Sequence, residues 1–182
     1  MRLFWTQVYE ATTMSDIVRT LELSRASLYA AFGDKEALFL LILKRYADIF
    51  FARPLSALSE FADPRMAVGT LLERTAELLI DARLPSGCLL SNTVLECAAG
   101  PPAIARTATA GVSGLEDALY QTLHRGRSAG YLEAEVDIRA LARFFTGVAQ
   151  GMALVARATS DASGVRDIAI TSLQAWPSPP AA

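Results

Sequence analysis

LFWTQVYEATTMSDIVRTLELSRASLYAAFGDKEALFLLILKRY, residues 3–46, is the stretch whose reading decides the fold. Its apolar residues recur at helical spacing and capping residues interrupt them at short intervals, so it reads as four helices. Residues 3–9 look like the tail of a helix, apolar from the start and without a cap. Thr13 can cap a second helix through its hydroxyl, with Asp16 at the third helical position in capping-box spacing, and this helix stops near Leu21. A tight turn at Glu22 and Leu23 leads to Ser24, the cap of a short third helix over 25–31, and Gly33 stands just past its end. Asp34 then caps a long fourth helix that runs to about Phe51.

Two short helices joined by a tight turn, with Ile17, Leu21 and Leu28 facing inward, have the spacing of a helix-turn-helix, whose second helix enters the DNA major groove. Arg25 and Ser27 lie at the N-terminal end of that helix, where side chains reach base edges or phosphates. Thr13, Tyr29 and Lys35 stand at helix starts or ends around it, placed for hydroxyls, backbone N–H groups and an ammonium to grip the sugar-phosphate backbone. Residues 1–51 hold six Arg or Lys (Arg2, Arg19, Arg25, Lys35, Lys44, Arg45) and six acids (Glu10, Asp16, Glu22, Asp34, Glu36, Asp48). With no net charge in this segment, any grip on phosphates has to come from local placement.

The helical period continues beyond residue 51, and no run of alternating β-branched residues bounded by hairpin turns appears, so the chain reads as all-α. Pro54 and Pro64 flank what reads as a short polar connector. Five further helices follow, over 65–82, 88–98, 102–129, 137–158 and 164–176, and the Pro-, Ser- and Ala-rich tail from Pro177 reads as a frayed end. In the helix over 137–158, Phe144, Gly147, Gly151 and Leu154 or Val155 recur at spacings of three and four. They make a smooth apolar face on which two glycines admit another backbone.

The 182 residues are 52% hydrophobic and 20% charged with net charge −2, a composition that fits a globular protein with a real core and excludes disorder. The apolar run 37–43 and the uncharged, glycine-interrupted stretch 144–156 are both shorter than the roughly 20 residues a membrane-spanning helix needs. With no secretory signal at the start, a cytoplasmic location and no membrane partner are expected. Cys88 and Cys97 read as small buried apolar residues. His124 has no Cys or carboxylate at metal-ligand spacing, so no metal, cofactor or catalytic triad is expected and the chain does not read as an enzyme.

Residues 3–46 resemble the DNA-binding head of the TetR/AcrR family of transcriptional regulators. The agreement covers Phe4, Tyr9, Thr13, Met14, Ile17, Ser24, Leu28, Tyr29, Phe32, the Gly33-Asp34-Lys35-Glu36 turn and Leu38. The body is similar to one branch of that family in Gly87-Cys88-Leu89-Leu90, Asn92, Glu96 and the stretch 130–158. The resemblance implies a helix-turn-helix DNA-binding head over 1–51 and a helical ligand-binding and dimerisation body over 52–182. It also implies a repressor that binds a palindromic operator in double-stranded DNA as a homodimer and is released by a small-molecule effector. Carried over by position, it makes Arg25, Ala26, Ser27 and Tyr29 the recognition-helix contacts, with Thr13, Ser24 and Lys35 as phosphate anchors.

In such proteins the last two helices pair with their copies, a role suited to Phe144, Gly147, Gly151, Val155, Ile168, Leu173 and Trp176. A ligand pocket would lie among the body helices, with Leu72, Thr75, Leu79, Asn92, Glu96, Tyr120, Phe145 and Met152 as candidates for its wall. Asn92 and Glu96, one turn apart on a largely apolar helix, need buried partners if they face inward, from a ligand or from a body arginine.

The sequence departs from the family pattern in places. Val8 stands where a helix-ending glycine is usual and Glu22 replaces the glycine of the turn, where a left-handed backbone costs another residue about 1 kcal/mol. Ala26, Ala30 and Ala31 replace larger or polar recognition-helix residues, and the sequence starts past the arm and first turns of a complete head. These departures leave a second expectation, a helical ligand-binding dimer that has lost DNA binding.

Overall fold

Among the residues that a computed structural model describes, 1–97 and 100–177, the chain forms ten α-helices and no strand. The head comprises α1 (Arg2–Ala11), α2 (Met14–Leu21), α3 (Arg25–Phe32) and α4 (Lys35–Phe50). The body comprises α5 (Ala52–Glu60), α6 (Pro64–Leu79), α7 (Leu89–Glu96), α8 (Pro102–Ser128), α9 (Ile138–Thr159) and α10 (Ala162–Ser172), closed by a 3₁₀ turn at Leu173–Ala175. Residue 98, the expected end of one body helix, and the tail after Pro177 lie outside the described residues. No helix among those described is long and apolar enough to cross a membrane.

The head helices start where their caps stand. The Thr13 hydroxyl accepts from the Asp16 backbone N–H while the Asp16 carboxylate accepts from the Thr13 N–H, the reciprocal arrangement that satisfies two donors at a helix start. The Thr13 hydroxyl also donates to the Asp16 carboxylate at 2.6 Å, and this bond first, with that from the Thr13 N–H, holds the Asp16 carboxyl below the usual carboxylate range. Ser24 accepts from Ser27 N–H at 3.0 Å, and Asp34 accepts from Ala37 N–H at 2.8 Å.

Two expectations need correction. The segment between Pro54 and Pro64 is a helix for most of its length: Pro54 sits in the first turn of α5, where a missing N–H costs nothing, and Pro54, Ala57 and Leu58 bury one face. Arg74 of α6 grips Glu60 with two hydrogen bonds, at 2.8 and 2.7 Å, and holds its carboxyl down at about 2. Leu21, expected to face inward, is 46% exposed at the last turn of α2, whereas Ile17 and Leu28 are buried.

Two apolar clusters build the core, and neither stops at residue 51. The first joins α5, α6, α9, α10 and the second half of α8 around Leu71, Leu72, Leu119, Leu123, Phe145 and Met152. The second centres on Phe4, Trp5, Tyr9, Leu28, Phe39 and Tyr46 of the head, and also takes in Cys88, Leu89 and Leu90, Cys97, and Ile104 and Ala108 of α8. Because α8 contributes to both clusters and α7 packs into the head's cluster, head and body share interior.

Candidate functional site

The helix α3 is held by one deep anchor, Leu28, at 1% exposure, with Phe32 half-buried against the same cluster and caps at either end. Around that anchor Ser24, Arg25, Ala26, Ser27, Tyr29, Ala30 and Ala31 are exposed. Arg25 reaches only as far as the Ser15 hydroxyl, at 3.5 Å, so its guanidinium keeps most of its donors for another partner. Tyr29 is 47% exposed, unusual for a large ring with an apolar body. Thr13 and Ser24 are committed through their hydroxyls to the caps described above, leaving the helix-start N–H groups nearby for an anion. The Lys35 ammonium lies over the Tyr9 ring, 4.2 Å from its centroid. Of the expected DNA-contacting set, Thr13, Ser24, Arg25, Ala26, Ser27 and Tyr29 are exposed and Lys35 is half-buried.

The backbone departures read from sequence have structural counterparts. Val8 has φ 62 and ψ −179 inside α1, a region that a β-branched residue adopts only under constraint, and Glu22 is left-handed at φ 54. The break at Val8 takes the following N–H groups out of the helical ladder, and Glu96 collects them: its carboxylate oxygens accept from Tyr9 N–H at 2.9 Å and Glu10 N–H at 2.7 Å. Trp5 adds a bond from its indole N–H to Gly87 O at 3.1 Å, and Arg2 one to Arg83 O at 2.7 Å. Glu96 thus finds its partners in the head's backbone rather than in a ligand or a body arginine. The signal was present in Val8, since a helix broken there must place its orphaned donors somewhere.

A cavity of about 220 Å³ lies between α4, α5, α6, α7, α8 and α9. Of the residues expected to line such a site, it takes Thr75 and Leu79. Leu72, Phe145 and Met152 are wholly buried in the first core cluster, and Tyr120 lies under the Arg139 guanidinium at 3.8 Å. Asn92 is away from the cavity wall, and its buried Nδ2 has no hydrogen-bond partner. Sequence reasoning missed the residues that do line it, among them Tyr46, Phe51, Leu55, Cys88, Ser91, Leu115 and Gln150. Cys97, by contrast, is buried elsewhere, and burial first and Glu96 second push its thiol up to about 11, so it is not poised as a thiolate.

On α9, Phe144 (43% exposed), Gly147 and Gly151 point away from the body's core, and no atom lies within 4 Å of where a Cβ would stand on either glycine. Leu154 and Ile170 add exposed apolar surface, at 60% and 66%. Val155, Ile168, Leu173 and Trp176 are half-buried: each lies with part of its side chain against the first cluster, the Trp176 ring 5.6 Å from that of Phe145, and keeps part of its surface exposed. No group of His, Cys, Asp and Glu able to hold a metal occurs among the described residues.

A family model described as bacterial regulatory proteins, tetR family, matches residues 1–42, and one described as the tetracyclin repressor-like C-terminal domain matches residues 66–171. The HTH-type transcriptional repressor ComR of Escherichia coli (strain K12) is 31% identical over 178 residues, which cover 97% of this chain and 85% of that protein. An uncharacterized HTH-type transcriptional regulator of Bacillus subtilis (strain 168), YezE, is 30% identical over 166 residues, covering 91% of this chain and 86% of the relative. Among solved structures, a cysteine mutant of the TetR family transcriptional regulator CifR, complexed with 26-bp double-strand operator DNA, has a TM-score of 0.89 and 27% identity. That match covers 97% of this chain and 92% of the other.

Proposed function

The chain belongs to the TetR family of transcriptional regulators, and from that premise we propose that it is a repressor that grips a palindromic operator as a homodimer and releases it when a small molecule occupies its body. The observation that carries this reading is the exposed surface of α3, where a guanidinium with most of its donors free and a half-exposed tyrosine project from a helix whose deep anchor is Leu28. Residues 1–51 are the DNA-binding head and residues 52–182 the ligand-binding and dimerisation body. Arg25 is placed to read a guanine edge, Ala26 to meet a thymine methyl, and Ser27 and Tyr29 to hold bases or backbone beside them. Thr13, Ser24 and Lys35 mark the helix starts that steady the phosphates on either side.

Phe144, Gly147, Gly151, Leu154 and Ile170, with the half-buried Val155, Ile168, Leu173 and Trp176, supply the apolar surface that a second copy covers, the two glycines allowing the helices to approach closely. Both helices that leave the cavity wall for the head, α4 through Tyr46 and α7 through Cys88 and Ser91, can carry a change in the body to the spacing of the two heads. Heads moved off register cannot occupy two half-sites together.

The test is an anisotropy titration against the DNA upstream of the protein's own gene at two salt concentrations. Salt-sensitive binding, weakened about ten- to hundred-fold by Arg25→Ala with an unchanged melting temperature, is expected. Absence of binding at low salt would instead support a ligand-binding dimer without DNA affinity, the reading that the charge-neutral head favours.

A further inference from the structure

The wall of the cavity beneath α4 differs from its surroundings in what it leaves out. Among the described residues that line it there is no Asp, Glu, Lys, Arg or His. Its polar groups are few and mostly committed. The Thr75 hydroxyl donates to Leu71 O of its own helix at 2.8 Å, the Tyr46 hydroxyl meets the Cys88 thiol, and Ser91 donates to the Gln150 side-chain oxygen. What remains uncommitted is the Gln150 amide nitrogen, a donor of two hydrogens at the edge of an otherwise apolar surface.

Gly114 adds a second, independent observation. It stands in the interior of the 27-residue helix α8, where alanine is the better helix former, and it lines the cavity with no atom within 4 Å of where a Cβ would be. Its neighbour in the wall, Gly111, is explained by packing, since a Cβ there would meet Leu90 at 2.5 Å. Gly114 has no such reason. It is exposed, and a side chain there would extend into open space beside the wall.

We propose that this cavity binds a small uncharged organic molecule, compact and apolar except for one oxygen that accepts a hydrogen bond from Gln150. This rests on the reading of the chain as an effector-responsive regulator. Size follows from volume: an apolar cavity of about 150 Å³ holds benzene, so about 220 Å³ holds a substituted ring of roughly ten non-hydrogen atoms. Charge is excluded by the wall, because a carboxylate or ammonium taken out of water here would meet no opposite charge. The single uncommitted donor gives orientation, while the leucines and Phe51 give affinity.

Four probes of similar size separate these claims: acetophenone, toluene, benzoate and benzylammonium, titrated calorimetrically into the full chain without DNA. Acetophenone is expected to bind in the millimolar range or tighter, about three- to ten-fold better than toluene, the worth of one neutral hydrogen bond. The two ions should bind at least ten-fold more weakly than acetophenone. Gln150→Leu should erase the difference between acetophenone and toluene, and Gly114→Leu should abolish both while leaving the melting temperature equal or higher. Benzoate or benzylammonium binding as well as acetophenone would overturn the proposal. So would a wild-type chain that binds none of the probes at millimolar concentration, or a Gln150→Leu variant that keeps the preference for acetophenone. Binding is read without DNA, so acetophenone that binds as expected yet leaves an operator complex intact upholds the ligand class and counts only against the effector reading.

Discussion

In the head, the residues proposed to touch DNA stand outside an eight-residue helix whose buried side chain is Leu28. In the body, those proposed to touch a ligand line an interior cavity among six helices. The difference shows in neighbours. Ser27 and Leu28 differ in chemistry and face opposite ways, so type alone separates contact from anchor. Leu71 and Leu72 are the same residue side by side, both buried, yet Leu71 lines the cavity and Leu72 does not. A surface site advertises itself by polar groups where none are needed for folding, whereas a cavity is made of residues that would look the same in a solid core.

The contrast can be broken most sharply at the exposed body face. Phe144→Asp places a charge where a second copy is proposed to pack, and it should convert a dimer into a monomer in sedimentation with little loss of helix content. A variant that remains dimeric would move the interface elsewhere. Next comes core against cavity. Phe145→Ala should lower unfolding free energy by about 4 kcal/mol in urea titrations, while Leu79→Ala, at the edge of the cavity, should cost about 2 kcal/mol or less. Equal costs would mean that the cavity wall is packed like the core.

The seam between the regions gives a smaller effect. Glu96→Ala leaves two backbone donors of α1 without their acceptor and should destabilise by about 2 kcal/mol. Amide hydrogen exchange should rise at Tyr9 and Glu10 first, and uniform exchange across the body would contradict the assignment of Glu96 to the head. The smallest change is a gain: Val8→Gly should raise stability by about 1 kcal/mol by relieving a positive φ, and Glu22→Gly by a similar or lesser amount. A loss on Val8→Gly would show that the branched side chain's packing outweighs its strain.

Much of the fold was legible in the sequence because its caps are local. Thr13 with Asp16, Ser24 and Asp34 each mark a helix start by chemistry that acts within three residues. The helix-turn-helix spacing of α2 and α3 and the glycine-bearing apolar face of α9 were readable for the same reason, as local patterns. The helix α5 was hidden by Pro54, which reads as a breaker unless it is known to lie in a first turn. The partners of Glu96 lie 86 and 87 residues away, and the cavity gathers Tyr46, Ser91 and Gln150 from three separate helices. Such long-range meetings depend on how helices cross, which local periodicity does not encode. The same limit hides that Val155, Ile168, Leu173 and Trp176 each lie half-buried against the body's own core.

Hydroxyl-radical footprinting of the protein on its own upstream DNA tests the central claim most directly, because it reads head, dimer and operator at once. Two symmetric protected patches about one helical turn apart, or a multiple of it, both weakened by Arg25→Ala, are predicted for a dimer with α3 in successive major grooves. A single patch, or protection that survives Arg25→Ala unchanged, would contradict it.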